Sequence, residues 1–304
     1  MALSTAISTF SKCNMNKQKA LLSNSIESIL IDDWYVVTDL ESLYKKGHHR
    51  TWLFDVPICI EYEANCLSVI REDSNVKLPF EEVYGYLWTT LGKPMDDVVR
   101  FPECEEHDRH VVTGGSIAVH ASGLRAVENF FDLSHLPIVH KGYLGIETKS
   151  EVFPYEVAVD ENNWIIADGC QMFQPMVSPM GDDGIDVEYM FRVTRPYIVM
   201  LYKSNPIEMN RWDFIALFVQ PVDQEHCVAH PLLAYLKHDL EASTVRLYMQ
   251  LIFAQDKPIL ENQQPKRLPL GTGEELSVIG DKMSVTYRSW LREQGVNYGT
   301  TQNG

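Results

Sequence analysis

The chain has 304 residues, 45% hydrophobic and 22% charged, an ordinary composition for one large soluble domain or two modest ones. Its net charge of -16 repels phosphate backbones, so nucleic acid is not an expected partner. No apolar run reaches the ~18–20 residues that span a bilayer, so no membrane role is expected. The six cysteines (Cys13, Cys59, Cys66, Cys104, Cys170 and Cys227) include no CxxC pair, which reads as reduced thiols in the cytoplasm.

Residues 1–30 are polar and Ser-rich and lack the apolar core of a secretory signal, so a loose tail leading into a short helix is expected. Between residues 31 and 93, DDWYVVTDL, RTWLFDVPICIEYEANCLSVI and VYGYLWTTLGKP place β-branched and aromatic residues between turn signals, the pattern of short strands. Residues 94–110 are charged, contain Pro94 and Pro102, and read as a connector. In LRAVENFFDLSHL, Leu124, Val127, Phe131 and His135 recur at three- and four-residue steps, which predicts a helix ending near His135. Strands are then expected in KSEVFPYEVAV, NNWIIADGCQMF, DVEYMFRVT, RPYIVMLYKS and RWDFIALFVQPV. Two long helices follow, in DLEASTVRLYMQLIFAQD and EELSVIGDKMSVTYRSWLREQG. Together these describe an α+β domain with one sheet backing helices.

Chemistry concentrates in Asn129–His140. Two imidazoles and a carboxylate can occupy one face of an octahedral iron(II) and leave the other face open. On a straight helix His135 and His140 would point about 140° apart. Pro137 disfavours helix for the residue before it, so the chain is expected to turn and bring His140 round. Asp132, one turn before His135, is placed to accept from an imidazole N–H and set its tautomer. Asn129 either donates toward an iron-bound water or satisfies buried backbone groups. A histidine pair at a helix end is more often structural than metal-binding, so the pair alone leaves both readings open. His48 and His49 read as a solvated loop, His120 as a strand or pocket residue, and His226 and His230 as turn and strand residues. Tyr189, Phe191, Tyr197 and Tyr202 read as sheet core, with some lining a cavity. Met172, Met176, Met180 and GDDG read as a loop, either a cover for the site or plain surface.

The full pattern NxxDxxHxxxxH, at Asn129, Asp132, His135 and His140, resembles the iron-ligand motif of the Rieske non-haem iron oxygenases. The resemblance implies a third ligand, an aspartate on a late helix. AQDKPILENQQ offers Asp256, followed by Glu261 and Gln263. DDWYVVTDL, GYLWTTLGKP and SVIGDKMSVTYRSWL also resemble pieces of that family, so the likeness covers most of residues 31–295. One departure is large. A Rieske cluster needs C-x-H and C-x-x-H loops, but the stretch from Glu61 to Leu87 holds one cysteine and no histidine. Cys104–His107 spells C-x-x-H without its partner.

The resemblance therefore implies a truncated, all-β Rieske-like remnant without cluster ligands at 31–100. It implies a catalytic mononuclear iron domain at 101–304, with a helix-grip-like antiparallel sheet and long helices. It further implies an iron(II) monooxygenase subunit that uses O2 and has no [2Fe-2S] cluster of its own. Electrons would come in trans from NAD(P)H through a Rieske-containing reductase docking near Asp132. A small structural subunit is a further candidate partner, and an oligomer is expected. Within the family the missing loops resemble the cluster-less oxygenase components of bacterial methylxanthine breakdown, which implies N-demethylation of 7-methylxanthine to xanthine and formaldehyde. The alternatives are a non-catalytic assembly subunit, an O-demethylase or hydroxylase of another small aromatic, and a simple ligand-binding domain.

Overall fold

A computed structural model of the chain describes residues 26–176, 184–205, 208, 210–236, 240–271 and 273–301. Most of the expected N-terminal tail, and the loop from Met180 through the first three residues of GDDG, lie outside them. Met172 is a buried strand residue.

The N-terminal unit begins with α1 (Ser28–Ile31) and β1 (Tyr35–Asp39). The strand stops where the Asp39 carboxylate accepts from Ser42 N at 2.8 Å and caps α2 (Leu40–Lys46), a helix absent from the sequence reading. Gly47 ends α2 with φ +76°, a conformation that favours glycine. There follow β2 (His48–Leu53), β3 (Val56–Glu63), β4 (Cys66–Arg71), β5 (Val76–Lys77), β6 (Phe80–Val83) and β7 (Tyr86–Thr89). They form two antiparallel sheets, in the orders β1-β7-β6 and β2-β3-β4-β5.

The second unit contains β8 (Arg109–Thr113), β9 (Ile117–Val119), α3 (Gly123–Phe131), α4 (Leu136–Val139) and β10 (Glu156–Val159). Long strands follow: β11 (Ile165–Gln174), β12 (Ile185–Arg195), β13 (Ile198–Ser204), β14 (Trp212–Pro221) and β15 (Cys227–Leu236). The chain then forms α5 (Ala242–Asn262) and α6 (Lys282–Glu293). The antiparallel sheet order is β10-β11-β12-β13-β14-β15-β8, with β9 also on β15.

Several boundaries differ from expectation. KSEVFPYEVAV is strand only at its last four residues; Pro154, just upstream, cannot donate to a ladder. The last helix starts at Lys282, not near Glu274, because Asp281 turns back to accept from Val278 N at 2.8 Å. The helix bearing Asp256 runs on to Asn262.

Unbroken apolar runs in β13 and β14 have a direct cause: both faces are covered. Met200, Phe214, Ala216, Phe218 and Leu232 face the N-terminal unit and pack with Trp34, Val36, Tyr86 and Trp88. On the opposite face, Val199, Leu217 and Val219 pack in one cluster with Leu124, Val127 and Phe131 of α3. Gly123 permits that close approach: a Cβ there would meet Tyr197 at 2.8 Å and Val219 at 2.9 Å. Arg125 and Arg288 then tie α3 to α6. Arg288 bonds Glu128 at 2.6 and 2.8 Å and Glu275 at 2.6 Å, and Arg125 bonds Glu275 at 2.6 Å.

Candidate metal centre

The helix α3 ends at Phe131, not near His135. Asp132 is extended, and its carboxylate accepts from Ser134 N at 2.8 Å, a local bond that competes with helix. Pro137 sits in the first turn of α4, where its missing N–H has no helical partner to lose. Thus Pro137 opens a second short helix instead of closing the first. His135 precedes that helix and His140 follows it, so both rings turn to one point.

That point faces Asp256 on α5. Nε2 of His135 and Nε2 of His140 are 3.2 Å apart. Oδ1 of Asp256 lies 2.9 Å from the His140 nitrogen and 3.3 Å from the His135 nitrogen. The outer nitrogens are engaged elsewhere: His135 Nδ1 meets the Asp132 carboxylate at 3.3 Å, and His140 Nδ1 meets Gln255 Oε1 at 2.8 Å. Those acceptors draw the imidazole protons to Nδ1 and leave the lone pairs of both Nε2 atoms pointing inward. Asp256 Oδ1 is buried, and among the described residues no hydrogen bond is aligned to it. Three electron-rich atoms therefore crowd together without a shared proton donor, an arrangement that a cation satisfies.

The spacing fits such an ion. An octahedral ion with bonds of about 2.1 Å has neighbouring donors about 3.0 Å apart. Among the described residues, these three form the one group of three or more histidine, cysteine or acidic side chains with ligand atoms within 4.8 Å of one another. Without a cation, a proton takes its place. Burial alone would lower the His135 imidazole, but the Asp132 and Asp256 carboxylates push it up to about 9. Burial would raise Asp256, yet the two imidazoles hold it down to about 2. Asp132 is likewise held below its usual value, against burial, by His135 and Ser134.

A cavity of about 460 Å³ opens beside these three side chains. Asn129, Phe130 and Leu136 line it near the centre, Phe191, Leu201, Ile215 and Leu233 form its sheet floor, and Tyr248, Ile252 and Phe253 of α5 form its roof. Of the expected aromatic stripe, Tyr189 and Phe191 reach this cavity. Tyr202 packs on the opposite face toward Phe214, and Tyr197 lies in the core beneath α3. His120 and His226 stack on each other at the surface, 4.2 Å between centroids, away from the cavity.

Comparison with known proteins decides the family. The family described as vanillate O-demethylase oxygenase C-terminal domain matches residues 119–295. A probable methylxanthine N7-demethylase from Pseudomonas sp. (strain TJI-51) is 40% identical over 276 residues, covering 90% of this chain and 98% of that protein. The chain belongs to this oxygenase family. It is thus an oxygenase of the Rieske non-haem iron class, a class that works with iron and O2. The methylxanthine N1-demethylase of Pseudomonas putida is 26% identical over 223 residues, 70% of this chain and 59% of that one. Two solved structures share the fold. The caffeine complex of Pseudomonas putida CBB5 NdmA has a TM-score of 0.71 at 19% identity, covering 88% of this chain and 91% of that one. Dicamba monooxygenase bound to 3,6-dichlorosalicylic acid has a TM-score of 0.66 at 12% identity, covering 88% and 99%.

Sequence reasoning missed one neighbour of this candidate centre. Gln255 holds His140 from the side opposite Asp256, though the two residues adjoin in sequence. Only their reach around one ring from its two edges reveals the pairing.

Proposed function

We propose that this oxygenase holds iron(II) on His135, His140 and Asp256 and removes the N7 methyl group of 7-methylxanthine. Electrons come from NAD(P)H through a separate Rieske-containing reductase. The carrying observation is the buried trio of inward-facing donor atoms, with a cavity beside it of a size for one small heterocycle. The substrate follows from the 40% identical relative.

Iron held there supplies the activation of O2. The net change is N–CH3 + O2 + 2 H+ + 2 e− → N–H + CH2O + H2O, with an N-hydroxymethyl compound collapsing to xanthine and formaldehyde. The chain's own residues prepare this. Asp132 and Gln255 fix the two ring tautomers, and Asp256 contributes the anionic charge of the ligand set. Phe130, Leu136 and Phe253 keep bulk water away from the reacting carbon. Asn129 lines the same cavity and would donate toward an iron-bound water.

Residues 31–100 are read as a Rieske-like unit without its cluster, ahead of a catalytic unit at 101–304. The stretch from Glu61 to Leu87, with its single cysteine and no histidine, supports that reading. Asp132, whose side chain is 28% exposed, opens to solvent beside the centre and so offers a side for an electron donor to approach. A small structural subunit and an oligomeric assembly belong to the same proposal.

The test is a formaldehyde assay with iron-loaded chain, 7-methylxanthine and NADH, with and without a Rieske-containing reductase. Turnover only with the reductase is the expected result. Turnover with a simple flavin reductase in its place overturns the electron-supply reading, and no formaldehyde with either donor overturns the demethylase reading. Asp132→Asn should retain iron while slowing the reductase-dependent rate.

A further inference from the structure

The cavity floor changes character along its length. Phe191, Leu201, Ile215 and Leu233 pair directly across β12, β13, β14 and β15 and make an apolar row. Two residues along the strands, the corresponding row is Tyr189, Lys203 and Asp213, again directly paired and again lining the cavity. An apolar floor thus ends in a polar strip.

The strip lies at the end of the cavity remote from the metal centre. Asp213 accepts from Leu236 N at 3.3 Å. The adjoining Tyr235 packs with Val245, in the first turns of α5. Asp256 is about 16 Å further along that helix, at 1.5 Å per residue. That separation exceeds the length of a bicyclic ring carrying one methyl group, which leaves room for contact distances at both ends.

Gln174 completes the polar end. It is 1% exposed, its Nε2 bonds the Tyr189 hydroxyl, and its Oε1 is buried with no hydrogen-bond partner among the described residues. A stranded amide oxygen on a cavity wall is costly unless a ligand donates to it. Lys203 and Asp213 bring opposite charges, so the strip offers donors and acceptors without a net charge. A carboxylate brought to Lys203 would also meet Asp213.

We infer that this far end is a recognition subsite, in which Lys203, Asp213 and the Gln174–Tyr189 pair read a neutral edge of alternating carbonyl and N–H groups. It selects such a ring over an apolar ring of the same shape and over a carboxylated benzenoid. The inference deepens the methylxanthine reading and rests on it for the identity of the ring, since a pyrimidinedione presents such an edge. These are specificity-determining residues, about 12–16 Å along α5 from the reacting end.

The experiment measures equilibrium binding to anaerobic, iron(II)-loaded chain by calorimetry, without turnover. The probes are 7-methylxanthine, 1-methylbenzimidazole (the same shape without the carbonyl and N–H edge) and vanillate. The unsubstituted protein should prefer 7-methylxanthine over each of the others by about 100-fold. Lys203→Met and, separately, Gln174→Leu should weaken 7-methylxanthine about 10- to 100-fold. Both should leave 1-methylbenzimidazole affinity unchanged, which also shows that each variant is folded. Equal effects on both ligands, no effect in either variant, or tightest binding of vanillate overturns the inference. If 7-methylxanthine is turned over but the variants keep its preference, the subsite fails and the demethylase reading stands. If the preference is lost in the variants but no formaldehyde ever forms, the subsite stands and the demethylase reading fails.

Discussion

Two buried histidine environments in this molecule have opposite chemistry. His135 and His140 face each other beside Asp256, with carboxylate or amide oxygens on their outer nitrogens. His230, fully buried on β15, meets Ser116 Oγ at 3.0 Å and Gln220 Oε1 at 3.3 Å. Gln220 in turn donates to Thr51 Oγ1 and Trp52 O of the N-terminal unit, both at 2.7 Å. Carboxylates drive His135 up to about 9, whereas burial drives His230 down to about 3, with His49 a smaller like-charge contributor. Burial is common to both sites. What separates the candidate metal centre from the structural joint is an excess of acceptors over protons.

The comparison breaks most sharply at the ligands. His140→Ala should lower iron from near one per chain to below about 0.1, abolish formaldehyde release and leave a folded protein, because two remaining donors hold a divalent ion poorly. Elemental analysis beside circular dichroism checks it; full iron content in the folded variant would refute the ligand assignment. Glu128→Gln strips the paired charge from Arg288 and should cost about 3 kcal/mol in urea unfolding, since it leaves buried guanidinium groups undercompensated.

A smaller effect tests the tautomer argument. Gln255→Leu should weaken iron binding about 10-fold, because the His140 ring loses the acceptor that orients it. An unchanged affinity in a competition titration with a chelator would count against that role. At pH 7, iron binding should also release about one proton, since His135 titrates near 9 in the metal-free chain. Calorimetry in buffers of different ionisation enthalpy measures it.

The smallest effect belongs to His230. Its value in the folded chain is below the ordinary 6.5, so the unfolded chain takes up the proton first as pH falls. The stability it contributes is full above about pH 6.5 and is lost progressively toward about pH 3. His230→Asn should flatten the urea midpoint between pH 6.5 and 4.5. A slope equal to that of the unsubstituted protein would show that His230 does not carry it.

Legibility differed in the same two places. The Asn129–His140 pattern was visible because one short segment supplies most of the ligand set. Its helical geometry was misread, since Asp132 and Pro137 act through local bonds and position in a turn that periodicity does not register. His230 was read correctly as a strand residue, yet its partner Ser116 lies 114 residues away in sequence, and Gln220 links it on to Thr51 of the N-terminal strands. Helix α2 went unseen because its apolar face is too short to set a period.

The amino-acid order alone settled the acidic charge of the chain, the lack of an apolar run long enough to span a bilayer as a helix, the long strands and the helical stripe ahead of the histidine pair. These depend on near neighbours along the backbone, through side-chain alternation and helical repeat. Only the tertiary structure brought Asp256 and Gln255 to that pair, and placed Lys203, Asp213 and Gln174 at the far end of one cavity. Convergence of that kind is set by strand register and helix packing, which bring together groups from ten to more than a hundred residues apart and leave no local trace.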